Sequence, residues 1–319
     1  MNKLKYPYQT QSAVLFIIFN RPAETAAVFE KIREARPPRL YIGADGPRAN
    51  RPGEDEICRQ AREITSNIDW DCEVKTLFKD ANVGCKLGEA TAMQWFFDNE
   101  EEGIILEDDT LPSNSFFRFC DEMLDRYRHD TRIRIITGSN FQQGKKWGDA
   151  SYYFSNLIHS WGWAGWRRVW KEYDMDLKQY DEKDVKQKLA NIFNDQLIID
   201  TWYDLFVRTK SGQIDTWDYQ FGFSNFFNNG LCIIPNYNLI TNIGFGANAT
   251  NTFNEGSAFS KMPLEEIGEI THPLYILPEK QADLFTLHKE FYIAEKKRQN
   301  LRRNRFKRWV RSQIMKKNS

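Results

Sequence analysis

The chain has 319 residues, with 44 basic and 44 acidic side chains, 41% apolar residues and ten tryptophans. That length and composition support one large α/β domain or two small ones and exclude a disordered chain. The neutral total hides an uneven distribution: Lys296–Ser319 holds eleven Lys or Arg and no acid, which leaves the first 295 residues at net −11. An acidic body argues against a nucleic-acid groove, and a basic end argues for a tail with its own partner. The five cysteines (Cys58, Cys72, Cys85, Cys120, Cys232) are scattered and form no CxxC, so neither a disulfide framework nor a zinc site is expected, and a reducing compartment is. Neither a signal-peptide core over residues 1–11 nor a run of eighteen apolar residues is present, so no membrane span is expected.

In chain order, the run Ala13–Phe19 (AVLFIIF) predicts a strand buried on both faces. Asn20-Arg21-Pro22 ends it, with Pro22 placed to open a helix whose face carries Val28, Phe29 and Ile32. Leu40–Gly43 predicts a second strand closing on the turn Asp45-Gly46-Pro47. A helix through Ile57, Ala61 and Ile64 follows, then a strand at Val74–Phe78. A helix through Leu87, Ala90, Met93 and Phe97 leads to a short strand at Gly103–Leu106. This β-α-β-α-β-α-β order predicts an α/β fold with a mostly parallel sheet flanked by helices, and places ligands beyond the carboxyl ends of its strands. After Thr137 the rhythm breaks. Phe141–Trp170 is rich in Gly, Ser and aromatics, Tyr173–Arg208 reads as charged helix, Leu231–Ile240 leans to strand, and Gly244–Ser260 reads as loop.

Glu107-Asp108-Asp109 directly follows the apolar run Ile104-Ile105-Leu106. Three adjacent acids at a strand end repel one another unless a cation or a set of donors offsets them. Their oxygens suit Mn²⁺ or Mg²⁺, which share remaining positions with water and substrate phosphates. Asn20 and Arg21 follow the first strand and Asp45 the second. An Arg there can hold a diphosphate, and an Asp can accept from a ribose hydroxyl or a base N–H. Each of these alone reads as an ordinary loop residue, and the acid triplet alone also as a solvated turn. Their occurrence at three successive strand ends is what singles them out.

FNRP at 19–22, GADGP at 43–47, ILEDD at 105–109 and HSWGWAGW at 159–166 together resemble bacterial nucleotide-diphospho-sugar transferases, which are similar to the N-acetylglucosaminyltransferase I group. The resemblance covers roughly residues 13–250. It implies a GT-A fold, Rossmann-like, with an aromatic-rich acceptor half, and transfer of a hexose or N-acetylhexosamine from a UDP-sugar to a glycan hydroxyl, with inversion. By position, Asp109 resembles the metal ligand, Glu107 and Asp108 the acids on donor sugar and ribose, Arg21 the arginine near the phosphates, and Asp45 the aspartate that reads uracil. Asn20 is grouped with these donor residues. That group's eukaryotic members use a histidine in the helix before EDD, and none lies between Val83 and Phe97 here. Trp217-Asp218-Tyr219 resembles the region supplying the catalytic base. Asp218 matches better than Asp215, three residues away, and the alternative is that Asp218 caps a helix. His159 and Trp161 are expected in the pocket. Trp163, Trp166 and Trp170 have helical spacing and are expected in the core. Asn242–Asn251 is expected to be a lid.

These readings divide the chain into a nucleotide-sugar-binding half (10–138), an acceptor-binding half (139–277) and a basic tail (278–319). Phe306, Trp309, Val310 and Ile314 mark one helical face among arginines and lysines. Such a helix suits an anionic membrane surface, a solubilising tail being the plainer alternative. The expected setting is the cytoplasmic face of a bacterial membrane, with a glycan or lipid-linked glycan as acceptor. A nucleotidyltransferase making nucleotide sugars, or a non-enzymatic glycan- or membrane-binding protein on the same fold, would be the rivals. The first of these would want a Gly-rich basic loop after the first strand, which FNRPAET is not.

Overall fold

The computed structural model describes residues 7–245 and 262–302. Its first part follows the expected alternation: β1 (Val14–Ile18), α1 (Pro22–Ala35), β2 (Arg39–Ala44), α2 (Glu54–Ile64), β3 (Glu73–Phe78), α3 (Cys85–Asn99) and β4 (Glu102–Glu107). β1 is apolar and buried at every position, as an interior parallel strand must be. It pairs in parallel with β2 and β4, and β2 pairs with β3 at the sheet edge. Pro22 opens α1, where its missing N–H lies among donors that have no intrahelical partner anyway. Gly103 lies where a Cβ would meet the Phe96 ring and the Ala13 carbonyl, so α3 packs onto β4 without a gap.

β5 (Thr110–Pro112), α4 (Phe116–Tyr127), β6 (Ile133–Thr137), β7 (Tyr152–Ser155), β8 (Trp163–Trp166), α5 (Arg167–Trp170), α6 (Glu182–Leu189), α7 (Gln196–Lys210), α8 (Asp218–Phe227), β9 (Leu231–Pro235), β10 (Ile240–Asn242) and α9 (Lys280–Glu290) complete the fold. The main sheet has eight strands in the order β3-β2-β1-β4-β8-β6-β9-β7. β8 runs antiparallel to both β4 and β6, so strands from both halves of the chain share one sheet. β10 pairs with β5 in a separate ribbon that brings Asn242 opposite Thr110, beside the acidic turn.

The tryptophan spacing at 163, 166 and 170 does not form one helix. Trp163 and Trp166 lie in β8, and only Arg167–Trp170 is helical. Pairing on both edges, with small Ala164 and Gly165 between the rings, prevails over local periodicity. All three rings are buried, as expected of core residues. The charged stretch after Tyr173 divides into α6 and α7. With α8 and α9 these enclose a second apolar cluster that includes Leu189, Phe206, Phe223 and Leu287. Among the described residues no helix is long and apolar enough to cross a membrane. The apolar face Phe306–Ile314 lies outside the described residues.

Candidate active site

The carboxyl ends of β1, β2 and β4 border one cavity of about 700 Å³. It sits where strand order reverses, β2 and β3 extending the sheet one way from β1 and β4 the other. Open α/β sheets bind their ligands at such a switch point, and the volume falls within the range of small-molecule and cofactor sites. Arg21, Asp45, Glu107, Asp108, Asp109, Trp161 and Asp218 all line it.

The acidic turn is built by Thr110, whose hydroxyl accepts from the Glu107 N–H at 2.9 Å and donates to the Glu107 carbonyl at 3.0 Å. Asp108 ties the end of β4 to that of β1, since Oδ2 accepts from the Phe19 N–H at 3.0 Å. Its Oδ1 accepts from Arg21 Nη1 at 2.9 Å, and the same nitrogen donates to Asp109 Oδ2 at 2.9 Å. Burial raises the pKa of Asp109, and the Arg21 guanidinium opposes that shift. Asp109 is 5% exposed, and its Oδ1 is buried with no hydrogen-bond partner. The chain after β10 covers it closely. Ile243 N–H donates to the Asp109 carbonyl at 2.8 Å, and a Cβ on Gly244 would stand 2.4 Å from Asp109 Oδ2. Among the described residues no three His, Cys, Asp or Glu side chains converge as a complete metal site. Mn²⁺ and Mg²⁺ commonly take one or two carboxylates and fill the rest with water and phosphate, so the orphaned Asp109 oxygen fits such an ion.

Asp45 closes the loop before α3, accepting from the Gly46 N–H at 2.9 Å, Asn82 Nδ2 at 2.9 Å and the Val83 N–H at 3.1 Å. A Cβ on Gly46 would stand 2.4 Å from the Ala81 nitrogen, so only glycine allows that closure. Across the cavity, Asp218 stands at the first turn of α8, where its Oδ1 accepts from Thr216 Oγ1 at 2.6 Å and the Tyr219 N–H at 2.8 Å. The preceding Trp217 anchors this turn, its buried ring 5.8 Å from Trp163 and from Phe221 and 6.2 Å from Trp170. Burial raises the Asp218 pKa, with the Thr216 hydrogen bond acting against it. Asp215 borders the same cavity but is exposed.

Two expected residues stand elsewhere. Asn20 donates from Nδ2 to Glu54 Oε1 at 2.9 Å and is not on the cavity wall. Glu54 also takes the guanidinium of Arg48, which does line the cavity. His159 is buried behind Phe141, ring centroids 4.4 Å apart, and Phe141 in turn meets Trp161 at 5.0 Å. Burial lowers its pKa to about 3, so the ring is neutral and one aromatic layer removed from the cavity. Of the proposed lid only Asn242–Phe245 is described; Phe245 packs edge-on to Trp161 at 5.8 Å. Residues 246–251 lie outside the described part.

Sequence reasoning missed Glu89. It projects from α3 into the cavity, accepts from Cys85 Sγ at 3.1 Å, and is pushed up in pKa by burial. Burial and then the charge of Glu89 push Glu107 well above the ordinary carboxylate range. A signal existed: Gly84, Gly88 and Ala92, at four-residue spacing, mark the α3 face that borders the cavity, and Glu89 lies one position on.

No protein-family model matches the chain, and neither does any curated protein. Among solved structures it is similar to the inositol-1-phosphate CTP transferase from T. maritima, at 7% identity and a TM-score of 0.38 over 79% of this chain and 95% of that one. It is also similar to HddC from Yersinia pseudotuberculosis (10%, TM-score 0.33, 51% and 80%). A third is the glycosyltransferase GlyE of Streptococcus pneumoniae (10%, TM-score 0.29, 67% and 42%). Likeness at this level assigns neither a family nor an activity. The class defined by sheet order and topology is a Rossmann-like α/β protein with its cavity at the switch point.

Proposed function

We propose that the chain is a GT-A-type glycosyltransferase that moves a hexose or N-acetylhexosamine from a UDP-sugar to a glycan hydroxyl. One observation carries this reading: a single cavity gathers Arg21, Asp45 and Glu107–Asp109 from three strand ends and faces them with Asp218. Asp45 and the α3 face take the nucleobase, Glu107 and Asp108 the ribose and donor-sugar hydroxyls, and Arg21 the diphosphate, where a guanidinium forms charge-assisted bonds. Asp109 holds Mn²⁺ or Mg²⁺, which when bound stabilises charge on the leaving diphosphate.

Asp218 accepts the proton of the acceptor hydroxyl as that oxygen attacks the anomeric carbon and the bond to the diphosphate breaks. Its raised pKa strengthens it as a base. Attack from the face opposite the diphosphate inverts the anomeric centre. Trp161 and residues 242–245 shield the donor from water. The connection from β1 to α1 is Phe19-Asn20-Arg21, without glycine, which favours sugar transfer over nucleotidyl transfer. The basic tail holds the enzyme to the cytoplasmic face of an anionic membrane, close to a lipid-linked acceptor.

Turnover settles the matter. With Mn²⁺ and a glycan acceptor, UDP should be released from a UDP-hexose or UDP-N-acetylhexosamine with matching gain of sugar on the acceptor. Pyrophosphate release from UTP and a sugar phosphate, with no transfer, would replace this reading by the nucleotidyltransferase one.

A further inference from the structure

Among the described residues, the five most exposed large apolar side chains all lie between Leu274 and Leu301. Leu274, Tyr275 and Leu277 are 84%, 70% and 69% exposed, and Pro273 and Pro278 bracket them. This loop is held, not loose. Ser151 N–H donates to the Thr271 carbonyl at 3.0 Å, Glu279 N–H donates to the Phe154 carbonyl at 2.7 Å, and Ile276 packs inward against the main core. One apolar residue therefore anchors the loop to the edge of β7 while its neighbours face water. Scattered exposed leucines are ordinary, but a fixed apolar group of this kind marks an interaction surface.

Its α9 side is cationic. Lys280 opens α9, and Lys145 and Lys289 sit over the Phe285 ring of α9 at 4.1 and 5.8 Å. Of the acids beside α9, Glu279 caps the helix by accepting from the Gln281 N–H, and Asp283 accepts from Ser155 Oγ and the Asn156 N–H; on the other side of the loop Glu122 stands 3.4 Å from His272 Nε2, and Asp149 and Glu269 are exposed. From position 303 onward the chain adds seven Lys or Arg and no acid. Apolar and tyrosyl side chains beside a basic flank, on the segment leading to a basic tail, match the interface of an anionic bilayer.

We infer that the Pro273–Pro278 loop is a membrane-docking element, with Leu274, Tyr275 and Leu277 entering the headgroup layer of an anionic phospholipid bilayer beside α9. The inference extends the membrane reading of the tail and is independent of sugar transfer. The loop supplies apolar burial and a fixed orientation, whereas the tail supplies long-range attraction that salt screens.

Full-length protein is sedimented with phosphatidylglycerol/phosphatidylcholine vesicles at low and at physiological salt, alongside two full-length variants. L274S/Y275S/L277S, whose melting temperature should match wild type, should weaken vesicle partitioning by about tenfold or more at physiological salt, where charge is partly screened. R305Q/R308Q/R311Q should act mainly at low salt and tests the tail alone. Unchanged partitioning of the loop variant overturns the loop's role and leaves the tail's intact. A wild type that ignores the vesicles overturns both. A wild-type dimer made monomeric by the loop substitutions would assign the surface to a second copy and also overturn the proposal.

Discussion

On one wall of the cavity Asp108 and Asp109 share the Arg21 guanidinium at 2.9 Å each. On the other, Glu89 and Asp218 form no ion pair with any Lys or Arg among the described residues, although burial raises the pKa of both. The paired wall holds the ends of β1 and β4 together and is at once structure and site. The unpaired wall destabilises the resting fold, because partly buried acids without a cation or a full set of donors lose solvation. Such a cost is characteristic of positions that a ligand, a metal or a transferred proton completes. The contrast assigns binding to the first wall and proton transfer to the second.

Asp218→Asn should break the contrast most severely. The amide keeps the hydrogen bond from Thr216 but cannot take a proton, so turnover should fall by roughly 10²–10⁴-fold while UDP affinity stays near wild type. Single-turnover kinetics beside calorimetric UDP titration separates the two. A parallel loss of affinity would return Asp218 to the role of a helix-start residue.

Gly244→Ala sharpens the paired wall. A Cβ there would stand 2.4 Å from Asp109 Oδ2, so Asp109 or the chain after β10 must shift. Overpacking of this kind typically costs about 1–3 kcal/mol. Metal-dependent UDP affinity should drop by about tenfold with secondary structure unchanged by circular dichroism.

Glu89→Gln has the smallest effect and a sign set by linkage. The Glu89 pKa is raised from 4.5 to about 7, so between those values the folded protein binds more protons than the unfolded one. Stability contributed by this group therefore falls as pH rises from about 4.5 to about 7. The amide removes that loss. The melting temperature should rise by a few degrees at pH 8 and hardly change at pH 4.

Much of the paired wall was legible in the sequence because local signals coincide there. An unbroken apolar run means a doubly buried strand, and the first polar residues after it must lie at its carboxyl end. Arg21, Asp45 and the Glu107–Asp109 turn follow from that rule alone. The second wall depends on long-range packing. Asp218 was reached through its aromatic flanks: the structure places the Trp217 ring against Trp163 and Trp170, and the Tyr219 ring against Trp202. Glu89 was passed over because its helix was read for its apolar face. His159 was misplaced because its neighbour Trp161 reaches the cavity while its own ring turns behind Phe141. α4, with Phe116, Phe119, Cys120, Met123 and Tyr127 on its buried face, was legible by periodicity but went unread beside the acidic turn.

The central claim is that this cavity captures a nucleotide diphosphate through a cation on Asp109. Calorimetric titration of UDP into wild type and Asp109→Ala, each with and without Mn²⁺, tests it most directly. The account predicts binding that requires Mn²⁺ in wild type and is lost in Asp109→Ala, whose circular dichroism spectrum stays that of the wild type. UDP binding of equal strength in both proteins, or binding indifferent to Mn²⁺, would contradict it.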